Sequence, residues 1–280
     1  MNRVGVLGGG RMGSGIAHAF LITGSEVVVV ERDVPAADAA LVRVRGAVAK
    51  SIDRGADVAE GTDERLDVGT DVAAFAECSL VIEAVPEEPD LKVQSLQRAE
   101  AAMSPAATLA TNTSSISIDR LAKSLERPER FLGLHFFNPV PASKLVEVVI
   151  GAATRPQLRE IAQGWVRQVG KTPVTVTDSP GFASSRLGVA LGLEAIRMLE
   201  EGVASAADID AAMELGYRHP AGPLRTTDIV GLDVRLGIAE ELARELGPRF
   251  EPPQLLRDMV ARGELGRKTG RGFYDWGTDS

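Results

Sequence analysis

Two residues on neighbouring apolar runs carry the clearest chemical signal in this chain. In "GLHFFNPVPASKLVEVV", His135 ends one run and Glu147 lies inside the next. An imidazole takes up and returns a proton near neutral pH. A carboxylate bonded to its far nitrogen fixes the tautomer and stabilises the imidazolium. Such a pair suits removal of a proton from an alcohol. The same residues also fit a satisfied core histidine and an edge-strand glutamate.

A second constellation stands at the N-terminus. "VGVLGGGRMGSGIA" contains Gly8-x-Gly10-x-x-Gly13 directly after a strand and at the opening of a helix. The first glycine permits a tight turn, the second admits a pyrophosphate to the backbone, and the third lets helix and strand pack closely. The N–H groups at the helix start then receive phosphates. Glu31 ends the following strand. A carboxylate there accepts hydrogen bonds from the adenosine ribose and repels the extra phosphate of NADP. A unit charge pair at ~4 Å is worth ~4 kcal/mol at a surface-like dielectric, so NAD is the expected cofactor. Arg32 argues the other way, because an arginine here can serve a 2′-phosphate, but it reads better as a solvated surface charge.

The elements that must position these groups follow from the apolar pattern. Strands are expected at 3–8, 27–30, 66–67, 80–84, 108–111, 131–134, 145–149 and 174–176. Helices are expected at 14–23, after the second strand to about residue 56, and at 72–76, 90–103, 118–125 and 157–168. Their alternation predicts an α/β, Rossmann-type domain with a mostly parallel sheet. After "TDSPGF" the pattern becomes all helical: 187–201, 206–215, 232–246 and 254–263. Ser205 with Asp208 reads as a capping box and Gly216 as a helix stop. The expected domains are 1–178, which binds the nucleotide and carries His135 and Glu147, and 179–280, a helical substrate and dimerisation domain.

Composition narrows the class. With 44% hydrophobic and 25% charged residues the chain reads as an ordinary globular protein. A net charge of −8 argues against a nucleic-acid partner. The single cysteine, Cys78, excludes an internal disulfide and fits a reducing cytoplasm. No apolar run approaches a membrane span, and the first residues read as strand and glycine loop rather than a secretory leader. No metal-ligand spacing is evident. His18 and His219 read as structural.

In order, "GGGRMGSGIA", "VIEAVPEEPDLK", "ATNTSSISI", "RFLGLHFFNPVPASKLVEVV", "GKTPVTVTDSPGF", "EAIRMLEEGVASAADIDAAM", "HPAGPL" and "GRKTGRGFYDW" cover nearly the whole chain. Together they resemble the 3-hydroxyacyl-CoA dehydrogenases, most closely the short bacterial 3-hydroxybutyryl-CoA dehydrogenases. That resemblance implies NAD-dependent oxidation of a (3S)-3-hydroxyacyl-CoA, with His135 as general base oriented by Glu147. It implies that Ser114 bonds the substrate's C3 oxygen, although Ser114 also suits a helix N-cap, a role open to Ser115 or Ser117. Asn138 is implied at the substrate carbonyl or the nicotinamide. Gly8, Gly10, Arg11, Met12, Gly13 and Glu31 are implied on the cofactor, with Glu87, Lys92 and Asn112 toward its nicotinamide side. Lys92 equally suits a solvated helix position.

One departure stands out. Relatives read "PGF-x-x-N-R" where this chain has "SPGFASSR", so Ser185 replaces a substrate-side asparagine. Serine keeps a donor and an acceptor with shorter reach. Arg43, Arg45 and Lys50 are candidate partners for CoA phosphates, or simply a solvated basic face. The helix from Leu187 to Glu201 carries surplus apolar surface, and as in relatives it is expected to build a homodimer. Alternative activities are a dehydrogenase of a free hydroxy acid or sugar acid (gulonate-type), a 3-hydroxyadipyl-CoA dehydrogenase, or a nucleotide-binding protein without catalysis.

Overall fold

The computed structural model describes residues 3–277. They fall into two compact units that divide between Ser179 and Pro180. In the first unit the strands are β1 (Arg3–Leu7), β2 (Glu26–Val30), β3 (Leu66–Gly69), β4 (Leu80–Glu83), β5 (Thr108–Thr111), β6 (Phe131–Phe136), β7 (Leu145–Ile150) and β8 (Thr172–Thr177). They make one sheet in the order β3-β2-β1-β4-β5-β6-β7-β8. Every pairing is parallel except β6 with β7. The strand order turns back on itself at β1, between β2 and β4. Ligands of open α/β sheets sit at such a switch point, beyond the carboxyl ends of the strands.

The sheet is where it is because its strands are apolar on both faces. Val27 to Val30 are all buried, as a parallel strand covered by helices on both sides requires. Helix α1 (Arg11–Leu21) lays Ile16, Ala17 and Phe20 into the same cluster as Val4, Val6, Leu80, Ile82, Leu132 and Leu134. Helices α2 (Val34–Asp53), α3 (Pro89–Ala102), α4 (Ile118–Ala122) and α5 (Gln157–Gln168) complete the unit. Asp33 caps α2 by accepting from the Ala36 N–H, with Pro35 in the first turn. The expected helix at 72–76 is a short 3-10 turn, Val72–Glu77.

The second unit contains α6 (Ser184–Glu200), α7 (Ala206–Tyr217), α8 (Pro223–Val230), α9 (Leu232–Leu246) and α10 (Gln254–Ala261). Its core includes Val189, Leu193, Ile196, Leu224, Leu232, Leu242 and Leu256. The Ser205–Asp208 capping box is present: the Ser205 hydroxyl accepts from the Asp208 N–H at 3.2 Å and donates to its carboxylate at 2.6 Å. Gly216 does not stop α7. The helix runs to Tyr217, and Arg218 takes the left-handed conformation (φ 59°) that a glycine stop would supply. Helix α8 has no counterpart among the expected elements, because its proline start and eight-residue length hide its period.

Two aspartates tie the carboxyl-terminal segment to these helices. Asp228 accepts from the Phe273 and Tyr274 N–H groups, both at 2.9 Å, and from Trp276 Nε1 at 2.8 Å. Asp210 accepts from the Tyr274 hydroxyl at 2.7 Å and from the Leu224 and Arg225 N–H groups. The "GRGFYDW" motif is therefore accounted for by packing within this unit.

Candidate active site

Strands β6 and β7 run antiparallel with His135 directly opposite Glu147. Facing residues of such a pair project on the same side of the sheet. The result is a hydrogen bond of 2.8 Å between His135 Nδ1 and a Glu147 carboxylate oxygen. His135 is 6% exposed and Glu147 fully buried, so both rotamers are fixed by packing. The ring also lies 4.3 Å from that of Phe137. An imidazole bonded through Nδ1 to a carboxylate presents Nε2 for proton exchange. Asn138, just past β6, is exposed.

Asn112 connects this pair to the middle of the sheet. Its Oδ1 accepts from the Phe136 N–H at 2.8 Å, and its own N–H donates to the Glu83 carbonyl. The end of β6 is thereby pinned to the ends of β5 and β4. Sequence reading placed Asn112 near the cofactor; the bond to β6 adds a second role.

Glu87, Lys92 and Ser114 share one network, and its hub is Glu83, which sequence reading missed. Glu83 ends β4 fully buried. Its carboxylate accepts from Lys92 Nζ at 2.8 and 3.1 Å, from Thr111 Oγ1 at 2.6 Å and from the Val85 N–H at 2.7 Å. Burial pushes the Glu83 carboxyl above the usual carboxylate range, against the pull of Lys92, Thr111 and Val85. Lys92 is 1% exposed, which excludes the solvated-helix reading. It reaches the second acid too, with Nζ 3.3 Å from Glu87 Oε2.

Glu87 Oε1 gathers the turn after β5. It accepts from Thr113 Oγ1 at 2.6 Å, the Ser114 N–H at 2.8 Å, the Ser115 N–H and hydroxyl at 3.1 Å, and the Ser114 hydroxyl at 3.3 Å. Burial raises the Glu87 carboxyl, but Lys92 and these donors outweigh it and hold the group below its ordinary value. Of the three serines, Ser117 is the N-cap of α4, accepting from the Arg120 N–H at 3.1 Å. Ser114 is thus released from the capping role.

The glycine loop fits a dinucleotide. Gly8 has φ 94°, which L side chains rarely adopt. A Cβ on Gly13 would stand 1.7 Å from the Gly8 carbonyl oxygen, so the helix packs there only as glycine. At Gly10 a Cβ would meet nothing within 4 Å, leaving the loop open where a pyrophosphate must approach. No side chain caps α1 at Gly10, so the first-turn N–H groups remain for an anion. Arg11 is exposed and Met12 half-buried at this start. Glu31 accepts from the Gly9 N–H at 2.7 Å and the Arg32 N–H at 3.1 Å. These bonds seat its carboxylate beside the loop. Arg32 is exposed and pairs with Asp33.

Arg43, offered as a phosphate partner, donates to the Gly9 carbonyl at 3.0 Å, while Arg45 pairs loosely with Asp63. Ser185 lies half-buried in the first turn of α6. His18 is buried with Nε2 2.8 Å from Ser51 Oγ. Burial, and then Lys171, lower its pKa, in keeping with a structural residue. Among the described residues no three His, Cys, Asp or Glu side chains cluster as metal ligands.

Residues 3–179 match the family model for the 3-hydroxyacyl-CoA dehydrogenase NAD binding domain, and residues 181–276 the model for the C-terminal domain of the same enzymes. A probable 3-hydroxybutyryl-CoA dehydrogenase of Deinococcus radiodurans is 40% identical over 98% of this chain and 100% of its own. The 3-hydroxybutyryl-CoA dehydrogenase of Bradyrhizobium diazoefficiens is 38% identical over 99% of this chain and 96% of its own. The crystal structure of the (S)-3-hydroxybutyryl-CoA dehydrogenase from Ralstonia eutropha superposes with a TM-score of 0.93, at 39% identity, covering 99% of this chain and 100% of that one.

Proposed function

This chain belongs to the 3-hydroxyacyl-CoA dehydrogenase family, and we propose that it interconverts (3S)-3-hydroxybutyryl-CoA and acetoacetyl-CoA with NAD as the hydride carrier. The relatives named above support the substrate. The single observation that carries the chemistry is the 2.8 Å bond between His135 and Glu147.

In the proposed mechanism His135 Nε2 takes the proton from the C3 hydroxyl. Glu147 holds the ring through Nδ1 and stabilises the cation that forms. Burial of the pair strengthens that stabilisation, because little water screens it. Ser114 holds the C3 oxygen, and Asn138 is its neighbour on the substrate; Ser185 keeps the substrate role that the family resemblance implies for it. NAD, when bound, supplies the hydride acceptor. Gly8, Gly10, Arg11, Met12 and Gly13 would hold its pyrophosphate at the start of α1, with Glu31 on the adenosine ribose. Glu87, Lys92 and Asn112 would frame its nicotinamide side. A cytoplasmic homodimer through the helical unit belongs to the same proposal. No helix among the described residues is long and apolar enough to cross a membrane.

The test follows NADH absorbance with acetoacetyl-CoA and, separately, with free acetoacetate. Turnover of the CoA ester alone is expected. Replacing His135 by Gln should lower kcat on the order of 100-fold or more while the circular dichroism spectrum is retained. A folded His135→Gln variant with wild-type kcat would overturn the mechanism.

A further inference from the structure

A buried ion pair is a poor way to stabilise a fold. Removing two charges from water costs about as much as their attraction returns, and apolar residues of similar volume usually do as well or better. The Glu83–Lys92 pair is therefore not explained by stability. Its members are 0% and 1% exposed and joined at 2.8 Å. What the pair does provide is a fixed direction for one ammonium group. With Glu83 engaged at both oxygens, Lys92 Nζ stands 3.3 Å from Glu87 Oε2. The opposite oxygen of Glu87 then organises Thr113, Ser114 and Ser115.

We infer that Glu83 is a positioning residue for the reaction: through Lys92 and Glu87 it sets the turn that presents Ser114. This rests on the reading of Ser114 as the group that holds the substrate's C3 oxygen. Each link is direct. Glu83 is clamped from two further sides, by Thr111 Oγ1 at 2.6 Å and the Val85 N–H at 2.7 Å. Thr111 also supports the turn itself, its Oγ1 accepting from the Thr113 N–H at 3.3 Å.

The order of bond lengths at Glu87 has a chemical consequence. The Ser114 backbone N–H is held tightly, at 2.8 Å, and the Ser114 hydroxyl only loosely, at 3.3 Å. The C3 alcohol has one proton and it points to His135 Nε2, so the Ser114 hydroxyl meets the C3 oxygen as a donor. Turned away from Glu87, it donates to a ketone oxygen in the same way. The network thus fixes where Ser114 stands while leaving its hydrogen able to turn from Glu87 to the C3 oxygen in both directions of a reversible oxidation.

The experiment is a kinetic double-mutant cycle in the full chain, with acetoacetyl-CoA and NADH. Ser114→Ala, Glu83→Gln and the double variant are compared in kcat and in KM for each substrate. A misplaced contact of this kind costs about 10- to 100-fold in rate, so Glu83→Gln should lower kcat by that factor. If Glu83 acts through Ser114, the double variant should be little slower than Ser114→Ala alone. Thr111→Val provides a milder second arm, since it removes one bond to Glu83 and the longer one to the Thr113 N–H of the same network, and leaves no charge unpaired. It should lower kcat less and be equally non-additive with Ser114→Ala.

Losses that multiply in both cycles, or wild-type kcat in a folded Glu83→Gln or Thr111→Val variant, would overturn the inference. Should Glu83→Gln fail to fold, the Thr111→Val cycle decides alone. Absence of turnover by the unsubstituted protein would instead overturn the parent reading.

Discussion

Single side chains divide here into those that sequence alone exposes and those that only folding explains. His135 and Glu147 were visible because ionisable groups inside apolar strands are unusual, and the surrounding motifs gave them roles. Glu83 was not visible: an acid closing a short buried strand looks like the strand's polar end. Arg235 was equally silent. It lies on α9, only 9% exposed, with no partner for Nε among the described residues and Nη1 3.2 Å from where a Cβ on Gly188 would stand. Burial pushes its guanidinium down to about 10. A buried cation with no ion-pair partner among the described residues costs folding free energy, so Arg235→Met should raise stability by about 1–4 kcal/mol. A urea melt that shows a loss instead would mean that Arg235 has a stabilising partner. Cys78 shows the opposite economy: burial pushes its thiol up to about 11, leaving it inert at neutral pH.

At the level of elements, legibility followed period. Long runs with clear spacing fell close to expectation, and β5 and α5 coincide with it residue for residue. Short or Pro- and Gly-rich pieces did not. The "HPAGPL" stretch opens α8, whose capping by Gly222 and Pro223 cannot be told from a loop in sequence. Gly216 failed as a stop because a helix tolerates an internal glycine at a cost of about 1 kcal/mol. The glycine loop was the most readable element, since each glycine answers a separate steric demand. Gly13→Ala tests that demand. Its Cβ would lie 1.7 Å from the Gly8 carbonyl oxygen, forcing β1 and α1 apart. The expected results are a loss of about 1–3 kcal/mol and weaker NADH binding in a fluorescence titration. Unchanged affinity would show that the loop and helix can separate freely.

For the whole molecule, the alternation of strands and helices announced the α/β unit, and its disappearance after Asp178 announced the helical one. The antiparallel placement of β7 was beyond reach, because period-two patterns are the same in either direction. Assembly is also a whole-molecule property. Leu187 at 72%, Leu215 at 84% and Tyr217 at 75% exposure leave the helical unit with apolar surface that nothing in the chain covers among the described residues. Light scattering at micromolar concentration should give the mass of two chains; the mass of one would count against a dimer.

The opposed strands have a further implication for how this chain can change. The acid and the ring meet across a ladder whose side chains alternate from face to face. Adding or removing one residue inside either strand would send the two groups to opposite sides of the sheet. Length changes in the 137–144 connection spare that alignment. Natural variants that keep the chemistry should therefore carry their insertions between these strands and not within them.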